Sequence, residues 1–87
     1  MPRYYFHTEN GDRIRDDQGE ELAGVEAARE EAVTVLGEIL RYRGASFWDT
    51  GSFSVIVTDD GGRTVVRVTA AASEEPQQGA PASEAGR

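Results

Sequence analysis

The sequence predicts a small α+β domain, in which one antiparallel sheet is covered on one face by a single amphipathic helix. Two runs rich in β-branched and aromatic residues are each interrupted by an Asn-Gly or Asp-Gly pair, at 10–11 and 60–61. Such pairs between β-rich runs are strong hairpin signals. Between the runs, residues 25–42 carry apolar side chains at the helical period. The predicted element order is therefore ββαββ.

The first hairpin covers residues 3–15, and its register decides which side chains share a face. A two-residue turn would place Phe6 opposite Arg15 and split the apolar residues between the two faces. A three-residue loop at 9–11 instead pairs Phe6 with Ile14 on one face. We expect this second register, with Phe6 in the core.

The helix is predicted over residues 25–42, with Gly44 as its stop signal. At about 100° per residue, its apolar positions fall in one sector. These positions are Val25, Ala28, Ala32, Val35, Leu36, Ile39 and Leu40. The opposite sector is mostly glutamate, so one face of the helix is predicted to cover the sheet.

The second hairpin covers residues 53–68. Closure on the Asp-Gly pair places Val55 opposite Val66 towards the helix, and Ile56 opposite Val65 on the other face. The helix then crosses over from the second strand to the third, and the first strand can lie between them. We expect a four-stranded antiparallel sheet of order 2-1-3-4.

Composition divides the chain and limits its function. Residues 1–72 form the predicted domain, and residues 73–87, which lack large apolar side chains, form a predicted disordered tail. The chain of 87 residues has a net charge of −7, from 16 acidic and 9 basic residues, and the basic ones are all arginine. An acidic protein is disfavoured for non-specific nucleic-acid binding. No membrane-spanning run or signal pattern is found, so we expect a cytoplasmic protein.

The residue types that support catalysis or metal binding are sparse. The chain has no cysteine and one histidine, His7, so neither a disulfide nor a structural zinc site is expected. The acidic clusters lack the spacing of a calcium-binding EF-hand loop. Residues 49–51 read Asp-Thr-Gly, as in aspartic proteases, but they follow Phe47 and Trp48 in a predicted helix-to-strand loop rather than an apolar strand. We expect no enzyme activity, no cofactor and no metal.

The sheet face turned away from the helix is the least ordinary predicted feature. It collects Tyr5, His7, Arg13, Arg15, Ile56, Val65 and Arg67. Three interpretations stay open: a solvated face with cross-strand pairs, a dimer interface, and a surface for single-stranded RNA. The acidic charge disfavours the RNA interpretation.

Trp48 also has two interpretations. It either closes one end of the small core or anchors a partner, because buried tryptophan contributes strongly to interfaces. Core closure is favoured, since a small domain without disulfide or metal gains most from burying a large ring.

Several segments together resemble a family of short bacterial proteins of unknown function. They are the opening run Pro2-Arg3-Tyr4-Tyr5-Phe6-His7, Asn10-Gly11, Asp17-Gln18-Gly19-Glu20-Glu21-Leu22, Glu26-Ala27-Ala28-Arg29-Glu30-Glu31-Ala32 and Val57-Thr58-Asp59-Asp60-Gly61. The resemblance covers about residues 2–70. It implies a small stand-alone cytoplasmic domain and supplies no catalytic residues.

These observations predict a non-enzymatic protein-interaction domain that forms a homodimer. The thin core and the outward residues Tyr5, Ile56 and Val65 are the basis for self-association. The alternative is a module that binds single-stranded RNA, or acts as a regulator, through the open sheet face.

Overall fold

The computed structural model describes residues 1–75. Its elements are β1 (Arg3–Glu9), β2 (Arg13–Ile14), β3 (Glu20–Glu21), α1 (Val25–Tyr42), α2 (Gly44–Thr50), β4 (Ser52–Thr58) and β5 (Thr64–Ala71). A small α+β domain with an antiparallel sheet is confirmed. From residue 76 onward, the tail predicted over 73–87 lies outside the described residues.

The sheet order is β2-β1-β4-β5, and β3 pairs with β1 next to β2. Every strand pair is antiparallel. This order matches the predicted order 2-1-3-4, because β4 and β5 are the third and fourth predicted strands. The short strand β3 and the helix α2 were not predicted, because two-residue strands and one-to-two-turn helices carry little periodic signal.

Helix α1 has the predicted bounds and packs on β4 and β5. Ala28 and Ala32 are fully buried, so the helix backbone lies close to the sheet. The core cluster adds Tyr4, Val55 and Val57. The side chains packed around this cluster include Phe6, Leu22, Val35, Leu36, Ile39, Val66 and Val68.

The prediction that Gly44 leads into a loop is wrong. The Arg43 N–H donates to the carbonyl of Ile39 and closes α1, and Gly44 begins α2 at once. Helix α2 ends instead at Gly51, whose φ of 80° is left-handed and whose N–H donates to Phe47. A left-handed glycine is the common way to end a helix.

Both predicted hairpin registers are wrong by two residues. Ile14 lies opposite Thr8 rather than Phe6, because the loop consists of residues 10–12 with Gly11 at a φ of 104°. A shift of two keeps each side chain on its expected face. Ile14 is nevertheless 56% exposed, because the two-residue strand β2 lies beyond the part of the sheet that α1 covers.

The second hairpin is also shifted. Val55 lies opposite Val68 rather than Val66, and the pairing changes at a bulge after Val57. Asp59 causes the longer loop: its Oδ1 accepts hydrogen bonds from the N–H groups of Gly61 and Arg63, at 2.9 and 3.0 Å. Side-chain bonding of this kind is typical of aspartate in turns.

Candidate interaction site

The structure brings together part of the predicted outward face. His7 of β1, Ile56 of β4 and Arg67 of β5 lie side by side across three strands. Ile56 has no exposed surface and His7 is 5% exposed, so neither offers contact area in a single chain. Val65 differs from the expectation, because it packs against the core cluster beside the bulge.

The remaining predicted residues lie around this row. Tyr5 is half-buried, and its hydroxyl donates to Asp60 at 3.3 Å. Arg13 and Arg15 are exposed at the end of the first hairpin and line a small pocket with His7. Arg67 pairs with Glu9 at 3.6 Å. An interaction role for these side chains stays a prediction.

Trp48 lies apart from the other predicted residues. It is on α2 and is 57% exposed, so the expectation that it closes the core is wrong. Phe47 is half-buried and contacts the Trp48 ring edge-to-face, with centroids 6.2 Å apart. Neighbouring residues of a helix point in different directions, and here Phe47 takes the more buried one.

The His7 ring has a fixed hydrogen-bonding pattern. The Asp16 N–H donates to Nδ1 at 3.0 Å, so the proton of the neutral ring is on Nε2. Nε2 is 2.9 Å from Thr58 Oγ1 and donates to it. Burial lowers the pKa of His7, and the nearby guanidinium groups of Arg13 and Arg15 lower it further. The ring is therefore neutral near pH 7.

Asp16 closes a gap at one edge of the sheet. Its Oδ2 accepts the Phe6 N–H at 3.0 Å, at a point of β1 between the segments paired with β2 and β3. Its Oδ1 accepts the N–H groups of Gln18 and Gly19, at 2.9 and 3.1 Å. Burial raises the pKa of Asp16, but these backbone hydrogen bonds outweigh it, and the pKa lies below its usual value.

The direction of the Phe6 N–H fixes the hydrogen-bonding pattern of the sheet. Since it points away from β4, alternation along the strands directs the backbone groups of Val66, Val68 and Ala70 towards β4. The hydrogen bond of 3.0 Å from the Ala72 N–H to the Gly51 carbonyl fits the same alternation.

The opposite set of β5 groups has no strand partner within residues 1–75. The N–H and C=O groups of Arg67, Thr69 and Ala71 point away from β4, and β5 is the last strand of the sheet. We call this row the β5 edge. This edge was not predicted from the sequence, because an edge is defined by strand order rather than by residue type.

An open groove of about 820 Å³ runs along the β5 edge. It lies between α1 and β5 and is lined by Glu26, Arg29, Glu30, Val33, Val65, Val66, Arg67 and Val68. Val33 is 61% exposed. Val33 was not among the site residues predicted from the sequence, although a branched apolar residue outside the apolar sector of a helix was a usable signal.

A family model for a domain of unknown function, DUF6894, matches residues 3–71. The chain belongs to this family. The DUF6894 match begins at the first residue of β1 and ends at the last residue of β5, so it includes both edges of the sheet. No curated protein and no solved structure matches the chain.

Two further features describe the DUF6894 domain. Neither helix in residues 1–75 has the length and apolar character needed to cross a membrane. The same residues contain no group of three or more metal-binding side chains close enough to share an ion.

Proposed function

We propose that this domain is a non-enzymatic protein-interaction module that self-associates by pairing the β5 edges of two copies. The observation that carries the proposal is the outward row of backbone groups at Arg67, Thr69 and Ala71, next to a groove lined by valines and charged side chains. Unpaired groups of this kind form a template for another strand. A bacterial cytoplasm is the proposed setting, as the family resemblance implies.

A two-fold axis through Thr69 gives the best register for this pairing. Arg67 of one copy then lies opposite Ala71 of the other, and each outward group finds a partner. An axis through Arg67 would place two like charges directly opposite each other, which destabilises a strand pair. The register is thus set by the one charged residue in β5.

The groove supports a second copy as the occupant. Antiparallel edge pairing keeps both α1 helices on the same side of the joined sheet, so the two grooves meet and Val33 becomes buried. Gly37 lies one turn further along α1 and is exposed, with nothing within 4 Å of an added Cβ. The groove is lined by two carboxylates, Glu26 and Glu30, and by two guanidinium groups, Arg29 and Arg67. Mixed charges allow two copies to face each other without net repulsion at the contact.

The test is the mass in solution of the full chain and of two variants at Thr69. Among the backbone groups, proline at this position removes only an outward N–H, so Thr69→Pro leaves the β4 pairing in place. We expect light scattering to give two chains for the wild type and one chain for Thr69→Pro. Thr69→Ala is the matched control, because it loses only the 2.8 Å hydrogen bond between Thr69 and Ser54 hydroxyls, and we expect it to dimerise.

A third variant tests the groove. Val33→Glu leaves the β5 edge intact but places a charge where the two grooves meet, so we expect it to weaken the dimer. Circular dichroism would show whether each variant keeps its helix. A wild-type mass of one chain at high micromolar concentration would overturn the proposal, as would a Thr69→Pro variant that remains a dimer.

Binding of single-stranded RNA is the alternative function, and fewer observations support it. Tyr5 and Arg67 lie on the outer face, but Tyr5 is hydrogen-bonded to Asp60 and Arg67 is paired with Glu9. His7 is buried, so it offers no ring for stacking. Salt-sensitive RNA binding that is lost in Tyr5→Ala would favour this alternative over the β5 proposal.

A further inference from the structure

A small polar pocket lies at the end of the first hairpin. In the strand order of the sheet, it is on the β1 side, away from the β5 edge. It has a volume of about 120 Å³ and is lined by His7, Arg13, Arg15, Thr58 and Gly62. That volume holds roughly four waters at about 30 Å³ each. It is therefore large enough for a tetrahedral oxyanion and too small for a nucleotide.

The two arginines of this pocket have no carboxylate partner among residues 1–75. Within the part of the chain that the structure describes, ion pairs form at Arg3, Arg63 and Arg67, and none involves Arg13 or Arg15. The nearby Asp16 carboxylate is occupied by three backbone N–H groups. Both guanidinium groups lie close enough to lower the pKa of His7, whose burial is the larger cause. The pocket is thus locally positive in an acidic protein.

A hydroxyl donor is also available at this pocket. Thr58 Oγ1 accepts the hydrogen of His7 Nε2, because His7 Nδ1 is occupied by the Asp16 N–H. The Thr58 hydrogen must then point to a different acceptor. No other side-chain hydrogen bond of Thr58 is found in residues 1–75, and Thr58 lines the pocket.

We propose that this pocket binds a phosphate group, either free or as a phosphomonoester. Arg13 and Arg15 supply the positive charge, and arginine forks match the oxygens of a phosphate well. The Thr58 hydroxyl donates a further hydrogen bond. His7 contributes no positive charge to anion binding, because its ring is neutral near pH 7. Its role is to orient the hydroxyl of Thr58. The site is independent of dimer formation, since β5 contributes none of its lining residues.

The test is titration with inorganic phosphate at constant ionic strength, followed by backbone amide shifts in NMR spectra. We expect saturable shifts centred on the pocket. We expect Arg13→Gln and Arg15→Gln each to weaken binding about tenfold, the effect of losing one charged hydrogen bond. Arg41→Gln is the matched control, because Arg41 lies at the end of α1, stacked on Tyr42, and its loss changes the net charge equally.

A pair of variants at Thr58 tests the hydroxyl. Thr58→Val keeps the shape but removes the donor, and we expect it to weaken phosphate binding. Thr58→Ser keeps a hydroxyl, and we expect it to restore most of the affinity, which a merely structural role would not require. Circular dichroism checks that both variants are folded.

The outcomes distinguish the source of the phosphate group. Tighter binding of phenyl phosphate than of inorganic phosphate would support a phosphomonoester ligand, and the reverse would support free phosphate. The proposal would be overturned if chloride or acetate produced the same shifts at equal ionic strength. It would also be overturned if Arg41→Gln weakened binding as much as Arg15→Gln.

Discussion

The two edges of the sheet are built in opposite ways. On the β1 side, two strands of two residues each pair with β1, and the Asp16 carboxylate accepts the N–H that lies between them. On the β5 side, a strand of eight residues carries its outward groups without a strand partner in residues 1–75. Natural proteins protect the edge strands of their sheets against uncontrolled pairing with other chains. The contrast teaches that short strands and one carboxylate cover one edge of this domain, whereas the other edge leaves its backbone groups without a strand partner in residues 1–75.

The largest expected effect concerns the packing that supports both edges. Leu36 of α1 packs against the core cluster, so Leu36→Ala should lower the free energy of unfolding by about 3 kcal/mol. Urea unfolding of the Thr69→Pro monomer would measure this loss without a contribution from association. A loss below about 1 kcal/mol would mean that the sheet is held by its strand pairs rather than by α1.

The second effect concerns the sealed edge alone. Asp16→Ala removes the acceptor of three backbone N–H groups, so the free energy of unfolding should fall by about 2 kcal/mol. Asp17→Ala is the matched control, because Asp17 is exposed and should cost less than about 0.5 kcal/mol. Equal losses for the two variants would show that the carboxylate of Asp16 does not seal the edge.

Acid should weaken the sealed edge and leave the β5 edge unaffected. The pKa of His7 is lower in the folded chain than its usual 6.5. The contribution of the neutral ring to folding stability is therefore complete above pH 6.5 and is lost as the pH falls below that value. The pKa of Asp16 is also lower in the folded chain, so its contribution to folding stability is lost as the pH falls below its usual pKa of 3.8. Unfolding free energies measured from about pH 8 to about pH 5 should fall, and His7→Gln should flatten the slope in this window.

The smallest effect concerns the helix beside the open edge. Gly37 is exposed in the middle of α1 with open space around its Cβ position, so Gly37→Ala should stabilise the Thr69→Pro monomer by about 1 kcal/mol. Gly11→Ala is a contrasting control, because a φ of 104° strains any other residue and should destabilise the first hairpin. Thermal unfolding of the two variants would measure the opposite signs.

Much of the fold could be predicted from the sequence, because it depends on local patterns. The 3.6-residue period located α1 to the residue, and the turn glycines located both hairpins. The registers could not be predicted, since they depend on bonds made by single side chains. Asp59 lengthens the second loop by holding two N–H groups, and no propensity ranks that loop against a shorter one.

The candidate sites also divide into features that local patterns predict and features that depend on the assembled sheet. The grouping of His7, Arg13 and Arg15 was predicted from strand alternation, and the structure places them around one pocket. The β5 edge was missed because it depends on which strand is last. Asp16 was missed because its partners, Phe6 and His7, lie in another strand, and the residue stood in a run of acidic residues that looked like solvated turn positions.

Sealing the β1 side limits how far association can proceed. In the proposed dimer, two-fold pairing would use the β5 edge of both copies, and the outer strands of the joined sheet would then be the sealed ones. Each chain is therefore monovalent, and growth terminates at the dimer instead of continuing into a fibre. On this account the carboxylate of Asp16, which never enters the interface, is the group that gives the assembly a finite size.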